Sequence, residues 1–247
     1  MSPMTGSLLV ATPEQLRIET TKDLSEALKN KRSLVMANAE DALLSRGLFD
    51  RVVMAKANFS RANLQSVSLR QADLRLANFY RAGMERANLS GSDVRGANFA
   101  QVTADYINLT QAKLDKAIFQ DSRSCHAQFH NVSMVMAAAY NSNFYQSVFT
   151  EANLQGSNLT GSSMMACTLT GANLTQVNFT LVDLLSADLT AVTIVGADFT
   201  GAKLTDEQRL ALLEVASGTN ELTGRETAAT LTEGLQSKSK RKLFGLF

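Results

Sequence analysis

The chain has 247 residues, 45% of them hydrophobic, with no Trp, two Pro, two Cys and a formal net charge of +1. That composition supports a sizeable core but points neither to nucleic acid nor to an acidic surface, and two cysteines, Cys125 and Cys167, make no disulfide framework. The first residues, MSPMTGSLLVATPEQ, lack a basic leader region, and no run approaches the ~20 apolar residues of a transmembrane helix, so the chain reads as a soluble, cytoplasmic protein.

Residues 1–51 read as a partly helical N-terminal extension that caps the repetitive region beginning at Val52. Thr12-Pro13-Glu14 and the stretch from Thr21 to Leu28 are helix starts. A helix is expected over 22–31 and a second over 38–45. Leu34, Ala39, Leu44 and Phe49 already keep a five-residue phase, but Arg32 spoils a slot that wants a small residue, so one degenerate coil is the rival reading for 32–51.

From Val52 to Leu204 the chain repeats every five residues. A large apolar residue, here called the centre, falls at every position ending in 4 or 9 from Met54 to Leu204, giving 31 units without an insertion. The centre is Leu, Phe, Met, Val or Ile in 28 of them, the exceptions being Ala104, Ser124 and Ala139. Two residues before the centre stands a small or β-branched residue, 16 times Ala. Such a period fits neither an α-helix, where centres drift around the axis, nor a flat strand, where they alternate faces. It fits a coil that turns once per unit. Phe59, Phe79, Phe99 and Phe119 are 20 apart, and Phe179 and Phe199 continue the series, which makes four units per coil. Seven of the eight glycines in this region sit two residues after a centre, where a corner needs permissive backbone angles.

Phrases such as ANFSR, ANLQS, ADLRL, ANLSG and SNLTG resemble the A(D/N)LXX signature of the pentapeptide-repeat family, over about three fifths of the chain. The resemblance implies an all-β solenoid: a right-handed four-sided parallel β-helix of about 31 pentapeptides, nearly eight coils, with helical N- and C-terminal extensions. At ~4.8 Å per coil the rod is roughly 37 Å long.

After the repeat, Thr205 to Gln208 forms a capping box, and a helix is expected at about 206–217 within a capping segment 205–218. Leu210, Leu212, Leu213 and Ala216 are its candidates for covering the last coil. In some members of the resembled family, helices after the repeat form dimers, so a homodimer through this helix competes with capping; capping is the preferred reading. Residues 219–247 are polar and expected to be a flexible tail, ending in Lys238, Lys240, Arg241, Lys242, Leu243, Phe244, Leu246 and Phe247. This basic-apolar end suits docking on a partner, a membrane surface, or the rod itself.

No phosphate loop, nucleophile elbow or HExxH motif occurs, so no enzyme and no cofactor are expected. CHAQFH, Cys125 to His130, gathers both histidines and a cysteine read as outward-facing. A metal site there lacks a fourth ligand, and a surface patch over a thin core is preferred. Two exterior features are candidate protein-binding sites. Ten Lys/Arg against six Asp/Glu between 52 and 123 make a basic half, in which Arg61, Arg75, Arg81 and Arg95 form stacks. Tyr145, Met165 and Leu185 form an apolar column. The reading is a non-catalytic interaction scaffold with unidentified protein partners. Some members of the resembled family mimic DNA and bind type II topoisomerases; that alternative wants aligned acidic residues, and this repeat nets about neutral.

Overall fold

The computed structural model describes residues 16–30, 33–233 and 235. Two helices frame a rod: α1 (Thr21–Lys29) and α2 (Asp206–Leu213), with a third, α3, over 227–233. Between them the backbone advances by parallel single-residue bridges that join positions 20 apart, from Asn38↔Asn58 to Asp183↔Lys203. Each side of a coil makes the same bonds. Leu44 N–H donates to Asn63 O at 2.8 Å, and Asn63 N–H donates back to Ala42 O at 2.9 Å. A short bond within each turn, as from Ala57 N–H to Met54 O at 3.1 Å, closes the corner. The residue two after the centre is left-handed throughout the repeat, with φ +65° at Gly96 but also +58° at Arg61 and +60° at Lys56. Glycine there removes strain, yet most corners carry side chains and the ladder holds them.

The signature residue before the centre has a physical role. Asn58, Asn78 and Asn98 each accept, through Oδ1, the N–H two residues on, at 3.0–3.1 Å. Each also passes a bond along the column, Asn78 Nδ2 to Asn58 Oδ1 at 3.2 Å and Asn98 Nδ2 to Asn78 Oδ1 at 3.1 Å. Asn or Asp therefore satisfies an outward donor that the ladder leaves over.

The core is the column of centres. Phe59, Phe79, Phe99 and Phe119 stack face to face at 5.1, 4.9 and 4.7 Å. The stack stops at Ala139, and the thin slots explain why. Phe119 and Phe129 already face each other across one coil at 6.2 Å, with Ser124 between them. In the next coil Phe144 and Phe149 meet edge-on at 5.6 Å, with Met134 and Ala139 on the other two sides. Interiors are close-packed, so each coil holds about the same volume, and two rings in one coil leave room only for a small third centre. Ser124 is fully buried between these two rings.

The turns after those thin centres are opened. Ala127 N–H and Ser142 N–H do not reach Ser124 O and Ala139 O directly. Instead Ser147 Oγ accepts from Ala127 N–H (2.9 Å) and donates to Ser124 O (2.8 Å). Ser162 Oγ bridges Ser142 N–H (2.9 Å) and Ala139 O (2.6 Å) in the same way. A hydroxyl from the following coil completes each turn.

Three expectations need correction. The helix expected over 38–45 does not form: the five-residue phase starts at Leu34, with left-handed corners at Met36, Asp41, Arg46 and Arg51. Two bridges, Arg17↔Asn38 and Thr20↔Leu43, add a partial rung ahead of it. Gly47 explains the tolerance of this coil, since a Cβ there would lie 2.1 Å from the Phe49 ring. The expected helix over 22–31 is α1, capped by Thr20 and Asp23 in a reciprocal box, with Leu24 and Ala27 buried over the first coil. At the other end α2 stops at Leu213, short of 217, and buries Leu212 and Arg209 while Leu210 faces outward. Finally, 219–233 is not a loose tail. Asn220 is buried, donating to Gly196 O at 2.8 Å; Thr230 Oγ1 accepts Phe199 N–H at 3.1 Å; and the Arg209 guanidinium donates to Leu231 O (3.2 Å) and Ala202 O (2.6 Å). Polar residues in 217–231 finish the last coil's backbone, so low hydrophobicity here does not mean disorder.

Candidate functional site

The exterior of the rod is where function must reside, because the interior is filled. Of the basic patch, Arg75 and Arg95 each grip the aspartate two residues earlier, with Nη2 to Asp73 Oδ2 at 2.7 Å and to Asp93 Oδ2 at 2.6 Å. Arg61 pairs with Glu40 and Asp41 at 2.9 and 2.7 Å. Arg81 donates to Gln101 at 2.8 Å and lies over the Tyr80 ring at 5.0 Å. The Arg75 hydrogen bond holds the Asp73 carboxyl below its usual range, and the Arg61 bond does the same to Asp41. Three of the four arginines are already paired to carboxylates. Lys56 and Lys116, which make no ion pair among the described residues, line with Asp115 an apolar notch of about 640 Å³ over Leu76 and Gly96. Gly96 makes the room that Leu76 fills there: a Cβ would stand 2.7 Å from Leu76 Cδ2.

Tyr145, Met165 and Leu185 do share one column, joined through Gln146 N–H to Met165 O (3.1 Å) and Ala166 N–H to Leu185 O (2.9 Å). All three are half-buried. The earlier member Cys125, expected to point outward, is buried instead, and burial pushes its thiol up from the ordinary range. Its N–H donates to Asp105 Oδ1 at 3.0 Å. His126 stacks on Tyr106 at 4.9 Å and meets Tyr145 edge-on at 5.8 Å, while His130 is exposed beyond the following centre. Among the described residues no three His, Cys, Asp or Glu side chains group to hold a metal ion. Cys167 is deeply buried, with its thiol pushed up to about 12 and Sγ donating to Phe144 O at 2.9 Å. The basic-apolar end, Lys240, Arg241, Lys242, Leu243, Phe244, Leu246 and Phe247, lies outside the described residues.

The most exposed apolar surface was not singled out from the sequence. Leu43, Leu48 and Val53 are 64%, 81% and 53% exposed on three successive sides of the first coil, with Val35 and Met36 exposed beside Val53. They occupy the slot that later coils fill with Asn63, Ser68 and Asp73. By giving up Asn or Asp they also leave the N–H groups of Ser45, Asp50 and Ala55 with no side-chain acceptor among the described residues. Comparing outward slots column by column would have exposed this signal, but only once the repeat is extended back to Leu34.

The model for pentapeptide repeats matches the chain in eight copies, over residues 33–71, 57–96, 95–123, 127–165 and 167–206. The chain belongs to the pentapeptide-repeat family. Members of this family are right-handed β-helices, and its repeat is what the 20-residue ladder of bridges builds here. Three solved pentapeptide-repeat structures are similar. HetL, involved in heterocyst differentiation regulation in the cyanobacterium Nostoc sp. strain PCC 7120, is 20% identical over 66% of this chain and 83% of its own, with TM-score 0.41. A thylakoid-lumen protein of Arabidopsis thaliana is 26% identical over 58% and 89%, with TM-score 0.30. QnrB1, a plasmid-mediated fluoroquinolone resistance protein, is 17% identical over 81% and 96%, with TM-score 0.40. None superposes closely enough to bear on function. A comparison with curated proteins finds no match. Among the described residues no helix is long and apolar enough to cross a membrane.

Proposed function

We propose that this pentapeptide-repeat protein is a non-catalytic rod that binds a protein partner through the apolar exterior of its first coil. The observation that carries the reading is that Leu43, Leu48 and Val53 stand, largely exposed, in slots that the next coil fills with Asn63, Ser68 and Asp73, of which Asn63 and Asp73 accept the N–H two residues on at 3.1 and 3.3 Å. Large exposed apolar side chains ringing one coil are read here as an interface. The half-buried Tyr145–Met165–Leu185 column is a secondary contact on the same rod. Arginines paired to Asp41, Asp50, Asp73, Asp93 and Asp105 break any run of bare carboxylates, which argues against imitation of a DNA backbone. A gyrase supercoiling assay with low-micromolar protein is expected to show neither inhibition nor protection.

The test is quantitative affinity capture with the native chain and with Leu48→Asp. Leu48 is a surface residue, so the substitution is expected to leave the melt within about 0.5 kcal/mol of the parent. Loss of a reproducible partner with retention of the fold supports the reading; an unchanged set of captured proteins refutes it.

A further inference from the structure

The last coil is not closed evenly. On earlier sides, the N–H of the centre and that of the corner residue both donate to the following coil, as Leu169 does to Asp188 O (2.8 Å) and Gly171 to Thr190 O (3.0 Å). At the end of the rod the C-terminal cap supplies substitutes: Ser217 O for Gly196 N–H and Thr230 Oγ1 for Phe199 N–H. The side over 187–191 gets none. Leu189 and Ala191 N–H both lack an acceptor among the described residues. Leu189 is also the one centre, and Val192 the one small slot, that is only half-buried among the described repeat residues. Between this open edge and α2 runs a groove of about 480 Å³, walled by Leu189, Val192, Ala211, Leu212 and Val215. An unpaired strand edge beside an apolar trough is a template for one more extended segment.

We propose that residues 243–247 of the same chain, Leu-Phe-Gly-Leu-Phe, seat in this groove as a further rung. Three observations choose this occupant. First, the chain leaves the described region at this end, since Leu231 is buried in the cap and its carbonyl accepts from Arg209 of α2. Residues 236–242 extend to at most about 25 Å, several times the ~4.8 Å spacing of coils. Second, Asp188 and Glu207 line the groove and no Lys or Arg does, whereas Lys238, Lys240, Arg241 and Lys242 immediately precede the apolar residues. Third, a tethered segment acts at an effective concentration in the millimolar range, so a contact too weak to hold a free peptide still closes the edge. The rung is displaceable by the same token: any partner that takes the basic-apolar end reopens Leu189 and Ala191.

The experiment compares amide hydrogen exchange over 187–192 in the full chain and in a chain ending at Ser237. Exchange at Leu189 and Ala191 is expected to be at least about ten-fold faster without the end, while Leu109 in mid-rod is unchanged. A synthetic peptide of residues 238–247 restores protection to the shortened chain, and the triple substitution Lys240→Glu, Arg241→Glu, Lys242→Glu in the full chain weakens it. Equal exchange in the two chains overturns the proposal. So does protection that rises with protein concentration, which would put the segment of a second copy in the groove.

Discussion

The first coil and the coils after it share an interior and differ outside. Leu34, Ala39, Leu44 and Phe49 fill the axis as Met54, Phe59, Leu64 and Leu69 do one coil on, and all are buried. Outside, Leu43, Leu48 and Val53 stand where the next coil has Asn63, Ser68 and Asp73. The inner slots decide whether the coil forms, and the outer slots are left to decide what it meets. A repeat protein separates these two demands more cleanly than a globular domain, because each residue's direction is fixed by its place in the unit.

That separation breaks most visibly if an interior change proves harmless. Phe99 lies between Phe79 and Phe119 with no exposed surface. Phe99→Ala is expected to lose about 3–5 kcal/mol in a denaturant melt, and a near-neutral result would dissolve the stacked-core description. The cap comes next. Arg209→Ala removes the donor to Ala202 O and Leu231 O, and hydrogen bonds from charged groups are each worth about 1.5–3 kcal/mol. Faster exchange confined to 197–233, with the first coil untouched, is the expected signature. Ser124→Leu sharpens the point about constant coil volume: it adds a branched side chain beside Phe119 and Phe129 and is expected to destabilise by about 1–3 kcal/mol rather than fill a gap. A stabilised melt would show that the coil has room.

Acid separates the two halves of the rod. The hydrogen bond from Arg70 holds the Asp50 carboxyl below its usual range, and those from Arg75 and Arg61 act alike on Asp73 and Asp41. Because these folded values are depressed, their contribution is fully present above the unfolded carboxylate value near 3.9 and is lost as pH falls through the folded values. In the repeat after Ser124, the bond from Thr190 holds the Asp188 carboxyl below its usual range. Below about pH 4, exchange protection is therefore expected to fall first in 38–105. Loss that begins in the C-terminal half would contradict the ion-pair geometry.

Much of this was legible in the sequence. The five-residue phase, the 20-residue stack of Phe59 to Phe119, the glycine corners and the capping box at Thr205 all rest on local spacing, which the fold obeys strictly. What escaped rests on compensation between positions far apart in the chain. Ser124 looked thin because Phe119 and Phe129 meet across the coil only once the chain has folded. The segment 219–233 looked loose because Asn220 and Thr230 stabilise it by serving bare backbone groups of the last coil, while Thr227 bonds Ser217 O and Gly218 O inside the cap, and hydrophobicity does not register that. The first coil was hidden by the unfavourable Arg32, so the outward Leu43, Leu48 and Val53 were never compared with their columns. The candidate arginines were read as a stacked basic patch, and their pairing with aspartates, which depends on side-chain reach, was missed.

The most direct test of the division between inner and outer slots uses two positions in one column. A photo-cross-linking amino acid is placed at Leu48 in one chain and at Asn108, three coils along the same column, in another. Both positions lie on the same side of the rod; because Asn108 also accepts Thr110 N–H at 3.0 Å, both variants are first required to melt like the parent chain. Irradiation under native conditions is expected to give a discrete heavier adduct from position 48 and none from position 108. No adduct at 48, or the same adducts from both positions, would contradict the assignment of the first coil as the partner-binding surface.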